Sequence, residues 1–116
     1  MDRSFASQFA AEWVEAWNAH DLDRLLSHFA DDVVWSSPLV AGFTGDQSGT
    51  LHGKAALRAY YAEGLRRIPD LHFEVVDVRV GVAVLVINYR NQAGGEVSEV
   101  LVLRDGLVVE GHGTYA

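Results

Sequence analysis

The 116-residue chain has no cysteine and only two prolines. Without cysteine, neither a disulfide framework nor a thiolate metal site can form. Positive charge is scarce as well. Nine lysines and arginines stand against 16 aspartates and glutamates, for a formal net charge of −7. That balance argues against a nucleic-acid surface, which needs cations along the phosphates, and against docking on an acidic membrane. Long apolar runs are also missing: the longest, Val82–Ile87, is far too short to span a bilayer. The opening MDRSFASQFAAEW lacks the apolar centre of a signal peptide, so a cytoplasmic chain is the expectation. There is no GxSxG motif, P-loop or dinucleotide fingerprint, and GHGTYA lacks the third glycine and a following helix. His20, His28, His52 and His72 show no metal-ligand spacing. Neither a metal nor a cofactor is expected.

What is present is apolar material in quantity: 49% of residues are hydrophobic and 22% charged. A chain of this length buries roughly 65% of its unfolded surface as one domain, 1–116. Phe5, Phe9, Trp13 and Trp17 recur every four positions and form the stripe of a first helix. Asp21 is the expected N-cap of a second helix bearing Leu22, Leu25, Leu26 and Phe29. A strand at 33–37 follows, with Val33, Trp35 and Ser37 on one face. Residues 38–52 read as a loop that covers a pocket, and a third helix starts near Gly53. Strands are expected at 71–80, 83–91, 96–104 and 107–115, separated by Gly81, Gly94-Gly95 and Asp105-Gly106. Their short connections make them antiparallel neighbours. Helices first and strands last predict an α+β fold with helices on one face of a curved sheet.

In the strand 96–104, alternation puts Val97, Glu99, Leu101 and Leu103 on the drier face, with Glu99 its one charge. A carboxyl among apolar neighbours has its pKa raised and becomes a proton donor near neutrality. The competing reading is a Glu at a sheet margin, solvated or paired with an arginine. An even-numbered loop around Ala93-Gly94 sets Asn88 opposite Glu99, with Arg90 diagonal to it. Pairing with Arg90 would make Glu99 an anion instead. The last hairpin offers two registers. A two-residue Asp105-Gly106 turn sets His112 beside Glu99. A three-residue loop sets Gly111 there, followed on the same face by Gly113 and Tyr115. The second is preferred because it keeps the dry face dry, pairs Leu103 with Leu107 and Leu101 with Val109, and leaves ligand room above the glycines. Trp13 and Tyr61 fit the core equally well as aromatics; each has one polar atom that needs a partner if buried.

The segments AWNAHDLDRLLSHFADDVVWSSP, LHGKAALRAYYAEGL and VLVLRDGLVVEGHGTY resemble the SnoaL-like and ketosteroid-isomerase-like branches of the nuclear-transport-factor-2-like superfamily. The resemblance covers nearly the whole chain. It implies a cone-shaped, mostly antiparallel sheet (a cystatin-like fold) wrapping three N-terminal helices around an apolar pocket, with homodimers formed through the sheet. By resemblance, the isomerase base position is Ser37, the main oxyanion donor position is Trp13, and a second-helix network tyrosine is replaced by Phe29. Tyr61 is retained, and the protonated acid of the oxyanion hole falls at Glu99. A serine without an activating partner is no proton acceptor near neutral pH, so isomerase chemistry is not expected. An epoxide hydrolase of this fold needs an Asp–Arg–Asp set that is absent, whereas the polyketide-cyclase branch uses a single acid/base residue.

The expected function is therefore that of a SnoaL-like enzyme that binds a small apolar carbonyl or polyketide-like compound and acts on it by acid/base chemistry through Glu99. Glu99 and Tyr61 are the candidate catalytic groups. Trp13, Phe29, Trp35, Ser37, Asn88, Val97, Gly111, Gly113 and Tyr115 are the candidate ligand contacts. The alternatives are a non-catalytic binding or dimerisation module, favoured by the missing base, and an adaptor using Val100 and Val102 on the outer sheet face.

Overall fold

The computed structural model describes residues 1–116. Its first helix, α1 (Arg3–Asn18), is started by Asp2, whose carboxylate accepts the Ser4 N–H at 2.8 Å. The stripe of Phe9, Trp13 and Trp17 is buried, with Ala6, Ala10 and Ala16 allowing close approach. Asp21 caps α2 (Leu22–Leu26) through the Arg24 N–H, as its position predicts. That helix is only five residues long. Phe29 is not on it but opens strand β1 (Phe29–Ser36), because the His28 carbonyl already accepts Val108 N–H from the last strand.

The stretch read as a loop contains a helix, α3 (Pro38–Thr44), and a short strand, β2 (Thr50–His52). The helix has both of its end signals. Ser37 caps it by accepting the Leu39 N–H, Pro38 stands in its first turn, and Gly45 closes it at φ 79°. Helix α4 (Lys54–Arg67) buries Leu57 and Tyr61, and Phe43 of α3 lies against Tyr60 and under the Arg67 guanidinium.

Strands β3 (Glu74–Val80), β4 (Val84–Arg90), β5 (Glu96–Arg104) and β6 (Leu107–Tyr115) complete one six-stranded sheet of order β2-β1-β6-β5-β4-β3. The four late strands pair antiparallel as expected. The exception in the sheet is β1, which runs parallel to β6 and sets Trp35 beside Gly111. That makes the fold α+β, with a mixed, mostly antiparallel sheet and the helices against one face. The covered face carries Val33, Trp35, Leu85, Ile87, Val97, Leu101 and Val108 into a core of 23 buried residues. Asn18 ties helix to sheet at two points: its amide donates to the Phe73 carbonyl (2.9 Å) and accepts the Phe73 N–H (2.8 Å).

Two hairpin registers differ from the sequence expectation. The β4–β5 loop is the five-residue Asn91–Gly95, held by the Asn91 side chain accepting both Ala93 and Gly95 N–H. An odd loop reverses the face of every residue before it, so Ile87 rather than Asn88 stands opposite Glu99, and Arg90 pairs with Glu96. Asn88 lies on the outer face, donating to Asp77 and accepting from Ser98. The β5–β6 turn is the two-residue Asp105-Gly106, but a bulge at Val109 follows it. Arg104 thus faces Leu107, Leu103 faces Val108, and Leu101 faces Gly111. Neither expected register is realised. Gly113 is the residue beside Glu99, Leu107 is exposed, and His112 lies on the outer face opposite Val100.

Candidate functional site

A cavity of about 110 Å³ opens between the inner sheet face and helices α1, α3 and α4. An enclosed apolar cavity of about 150 Å³ takes one benzene; this one is smaller, so a ring of that size or larger must extend through its opening. Its walls are largely aromatic. Trp17 meets Tyr61 edge-on at 4.6 Å between centroids, and Tyr61 meets Trp35 edge-on at 5.7 Å. Phe73 and Tyr89 pack at 4.4 Å on the far side. The α3 side chains Leu39 and Phe43 close one edge of the opening, and Asn91 and Gln92 of the β4–β5 loop stand at the other.

Glu99 is the acidic residue on this wall and is 6% exposed. Its Oε1 accepts the Tyr89 hydroxyl at 2.7 Å, while its Oε2 is buried without a partner. Burial pushes its carboxyl up to about 7, against a smaller downward pull from the Tyr89 hydrogen bond. Arg90, on the outer face, plays no part in this. Burial also raises the Tyr89 and Tyr61 phenols well above their ordinary value, helped by the nearby Glu99 charge, so both act only as neutral hydrogen-bonding groups.

Five of the residues singled out in the sequence line the cavity: Trp35, Tyr61, Val97, Glu99 and Tyr115. Trp13 does not. Fully buried, it stacks on Phe73 at 5.9 Å and tilts against Tyr89 at 5.2 Å, bracing the wall from behind. Phe29 sits beneath Trp35 in the core, 1% exposed. Asn88 faces away from the site. The glycines do not provide ligand space. An added Cβ at Gly111 would fall 2.5 Å from Trp35 Cε3, and one at Gly113 would lie 3.3 Å from the Tyr115 hydroxyl and 3.4 Å from Ser37 Oγ. Both gaps are filled by the chain's own side chains. Ser37 is buried, and its hydroxyl is committed to capping α3 and to a 3.4 Å contact with the Tyr115 hydroxyl.

Tyr89, the group that holds Glu99, was missed in the sequence. A signal for it existed: Leu85, Ile87 and Tyr89 form the more apolar alternate set of β4, against Asn88 and Arg90 in the other. Trp17 and Phe73 could have been read similarly from the helical stripe and from the apolar residues before β3.

A mixed sheet packed on helices, with one buried acid in an aromatic cavity, defines an α+β pocket protein. Comparison gives the family. The chain belongs to the SnoaL-like domain family, whose model matches residues 10–111. A SnoaL-like protein of unknown function from Burkholderia thailandensis is similar at 46% identity, with a TM-score of 0.95 over 99% of this chain and 97% of the other. TerC, crystallised with polyporic acid, shares the fold at 16% identity and a TM-score of 0.79, over 97% of this chain and 92% of TerC. A protein with a cystatin-like fold from Methylobium petroleophilum has 14% identity and a TM-score of 0.78, over 100% of this chain and 78% of its own. No curated protein matches the chain significantly. No helix is long and apolar enough to cross a membrane.

Proposed function

We propose that the cavity takes up a small, neutral, largely apolar carbonyl compound and that Glu99 exchanges a proton with it. The observation that carries this reading is the unpartnered Oε2 of a buried carboxyl in an aromatic cavity. Native interiors rarely leave such an atom unpaired, and a carboxyl poised near neutrality is suited to general acid/base work. Acetophenone is a suitable probe, as a single-ring neutral ketone. Its affinity is expected to fall up to about 30-fold between pH 5.5 and 8.5 as Glu99 loses its proton. In Glu99→Gln the affinity should be the same at both pH values. Equal pH dependence in the two proteins would refute the role of Glu99.

Binding without turnover is the second reading, and Ser37 favours it. Its hydroxyl is used as a helix cap, and the cavity wall offers no proton acceptor besides Glu99. Deuterium incorporation into the acetophenone methyl group in heavy water separates the two readings. Incorporation that Glu99→Gln abolishes supports proton exchange, whereas saturable binding with no incorporation supports a binding module.

We further propose that a second copy of the chain covers the outer sheet face. Val34, Val84, Val86, Val100 and Val102 are half-buried there, on the sheet face opposite the core. Hydrogen-bonded polar groups border the patch: His112 bridges Ser36 and Glu110 on one side, and Ser98–Asn88–Asp77 forms a chain on the other. Val100→Lys, at the centre of the patch, is expected to halve the solution mass in sedimentation. An unchanged mass would place the interface elsewhere.

A further inference from the structure

All four tyrosines of the chain, Tyr60, Tyr61, Tyr89 and Tyr115, line one cavity, together with Trp17 and Trp35. Their rings do not stack into a slot. Tyr61 stands at 65° to Trp17 and at 81° to Trp35, and Tyr60 is tilted 42° from Tyr61. Walls that turn so steeply enclose a compact, rounded group better than a flat one. The face of an aromatic ring carries the negative part of its quadrupole, which attracts cations.

The charges point the same way. Glu99 is the one carboxyl on the wall, and no lysine, arginine or histidine accompanies it. Arg67 does not substitute, because its guanidinium lies over Phe43, 4.2 Å from the ring centroid, and pairs with Glu63 at 2.8 Å. The neutral-carbonyl reading above uses Glu99 with its proton. Once that proton leaves, near pH 7, the wall holds a buried negative charge that none of its own groups neutralises, and such a charge is costly. The other titratable groups facing Glu99 are the four phenols. Burial raises each of them, so they stay neutral when Glu99 ionises. The net charge of −7 also draws cations toward the protein.

We propose that the cavity is also an aromatic cage for a small quaternary ammonium compound, whose methyl-covered charge sits among the tyrosine and tryptophan rings within the field of Glu99. A trimethylammonium head makes no hydrogen bond. It therefore suits a carboxylate that is 6% exposed and acts on the cavity through space rather than by contact. The head is compact, and its fourth substituent leaves through the opening between the α3 side chains and the β4–β5 loop. The proposal rests on the cavity being a binding site and is independent of proton exchange by Glu99. It ranks a cation above its neutral isostere and excludes a carboxylate at the same depth.

The test compares choline with 3,3-dimethylbutan-1-ol, which puts carbon in place of the charged nitrogen and keeps the shape. Binding is followed through the ligand methyl resonances at pH 5.5 and 8.5, in physiological salt to screen surface attraction. At pH 8.5 choline is expected to bind about tenfold tighter than the alcohol, with its methyl signal moved upfield by the surrounding rings. Lowering the pH to 5.5 should weaken choline by about tenfold, and Glu99→Gln should hold it at that weaker level at both pH values. The alcohol should show neither loss. The cage is overturned if the alcohol binds as tightly as choline at pH 8.5, if choline binds without an upfield shift, or if Glu99→Gln binds choline as tightly as the parent protein. Binding of acetophenone would then still leave the cavity a site for neutral molecules. If choline, the alcohol and acetophenone all fail to bind, the ligand-binding reading falls as well.

Discussion

Gly111→Ala is expected to destabilise the fold by about 3 kcal/mol and to lower its melting temperature by roughly 10–20 °C. The added methyl has nowhere to go. It would lie 2.5 Å from Trp35 Cε3 and 3.2 Å from Leu101 Cδ2, well inside ordinary contact distance. Relief by moving Trp35 is blocked on several sides. The ring is 3% exposed, tilts against Phe29 at 6.4 Å and meets Tyr61 edge-on at 5.7 Å. Alanine would gain back about 0.5–1 kcal/mol through lower unfolded-state freedom, too little to offset overpacking. Two further glycines calibrate the effect. Gly113→Ala meets its neighbours at 3.3 to 3.5 Å, with the mobile Tyr115 hydroxyl the nearest, so a loss of about 1 kcal/mol is expected. Gly42→Ala, in α3 with nothing within 4 Å, should be neutral or slightly stabilising. Thermal melts of the three variants check the order. A Gly111→Ala melt within two or three degrees of the parent protein would mean that Trp35 is not held as described.

This glycine also shows where sequence reading stops. Alternation along β6 puts Gly111, Gly113 and Tyr115 on the inner face, which the structure bears out, yet their absent side chains look like room for a ligand. The room is instead occupied by Trp35, which arrives from β1 through a parallel pairing that bridges 76 residues between Trp35 and Gly111. No local pattern announces that pairing. By contrast, the α1 stripe, the Asp21 cap and the limits of β5 and β6 follow from periodicity and turn residues, and they stand where expected. The inward position of Glu99 was legible for the same reason, since Val97, Leu101 and Leu103 alternate with it.

The partner of Glu99 depended on loop parity. One residue more between β4 and β5 exchanges Asn88 for Ile87 opposite Glu99 and brings Tyr89, facing Val97, within reach of the carboxyl. Asn91 creates that parity by capping the loop with its own side chain, a choice that a Gly94-Gly95 pair does not reveal. Helix α3 was different, because Ser37, Pro38 and Gly45 are complete start and stop signals in the sequence. With α3 recognised, Ser37 is a cap as well as the residue at the isomerase base position. Its hydroxyl is tied to the backbone of the segment that closes the cavity.

The second large effect concerns pH. Glu99 has a carboxyl near its ordinary 4.5 in the unfolded chain and near 7 in the folded one, because folding strips its water and returns one hydrogen bond, from Tyr89. The folded state therefore binds the proton more tightly than the unfolded state. Its stabilising contribution is full below pH 4.5 and is lost as pH rises through about 7, a total of roughly 3 kcal/mol. Glu12, Asp46 and Glu63 act in the opposite direction. Their carboxyls are held low by Arg24, by Ser48 and by Arg66 with Arg67, so any stability they lend is lost as pH falls below the carboxylate range. The two effects occupy different pH windows, and a single variant isolates the first. Glu99→Gln keeps an acceptor for the Tyr89 hydroxyl and removes the ionisation. Urea unfolding at pH 5 and pH 8.5 should show the parent protein losing on the order of 3 kcal/mol more than Glu99→Gln across that interval. The variant should then be the more stable of the two at pH 8.5. If both proteins lose stability in parallel, Glu99 ionises freely in the folded state. Its Oε2 would then be solvated, and a neutral acid would no longer be available at the base of the cavity.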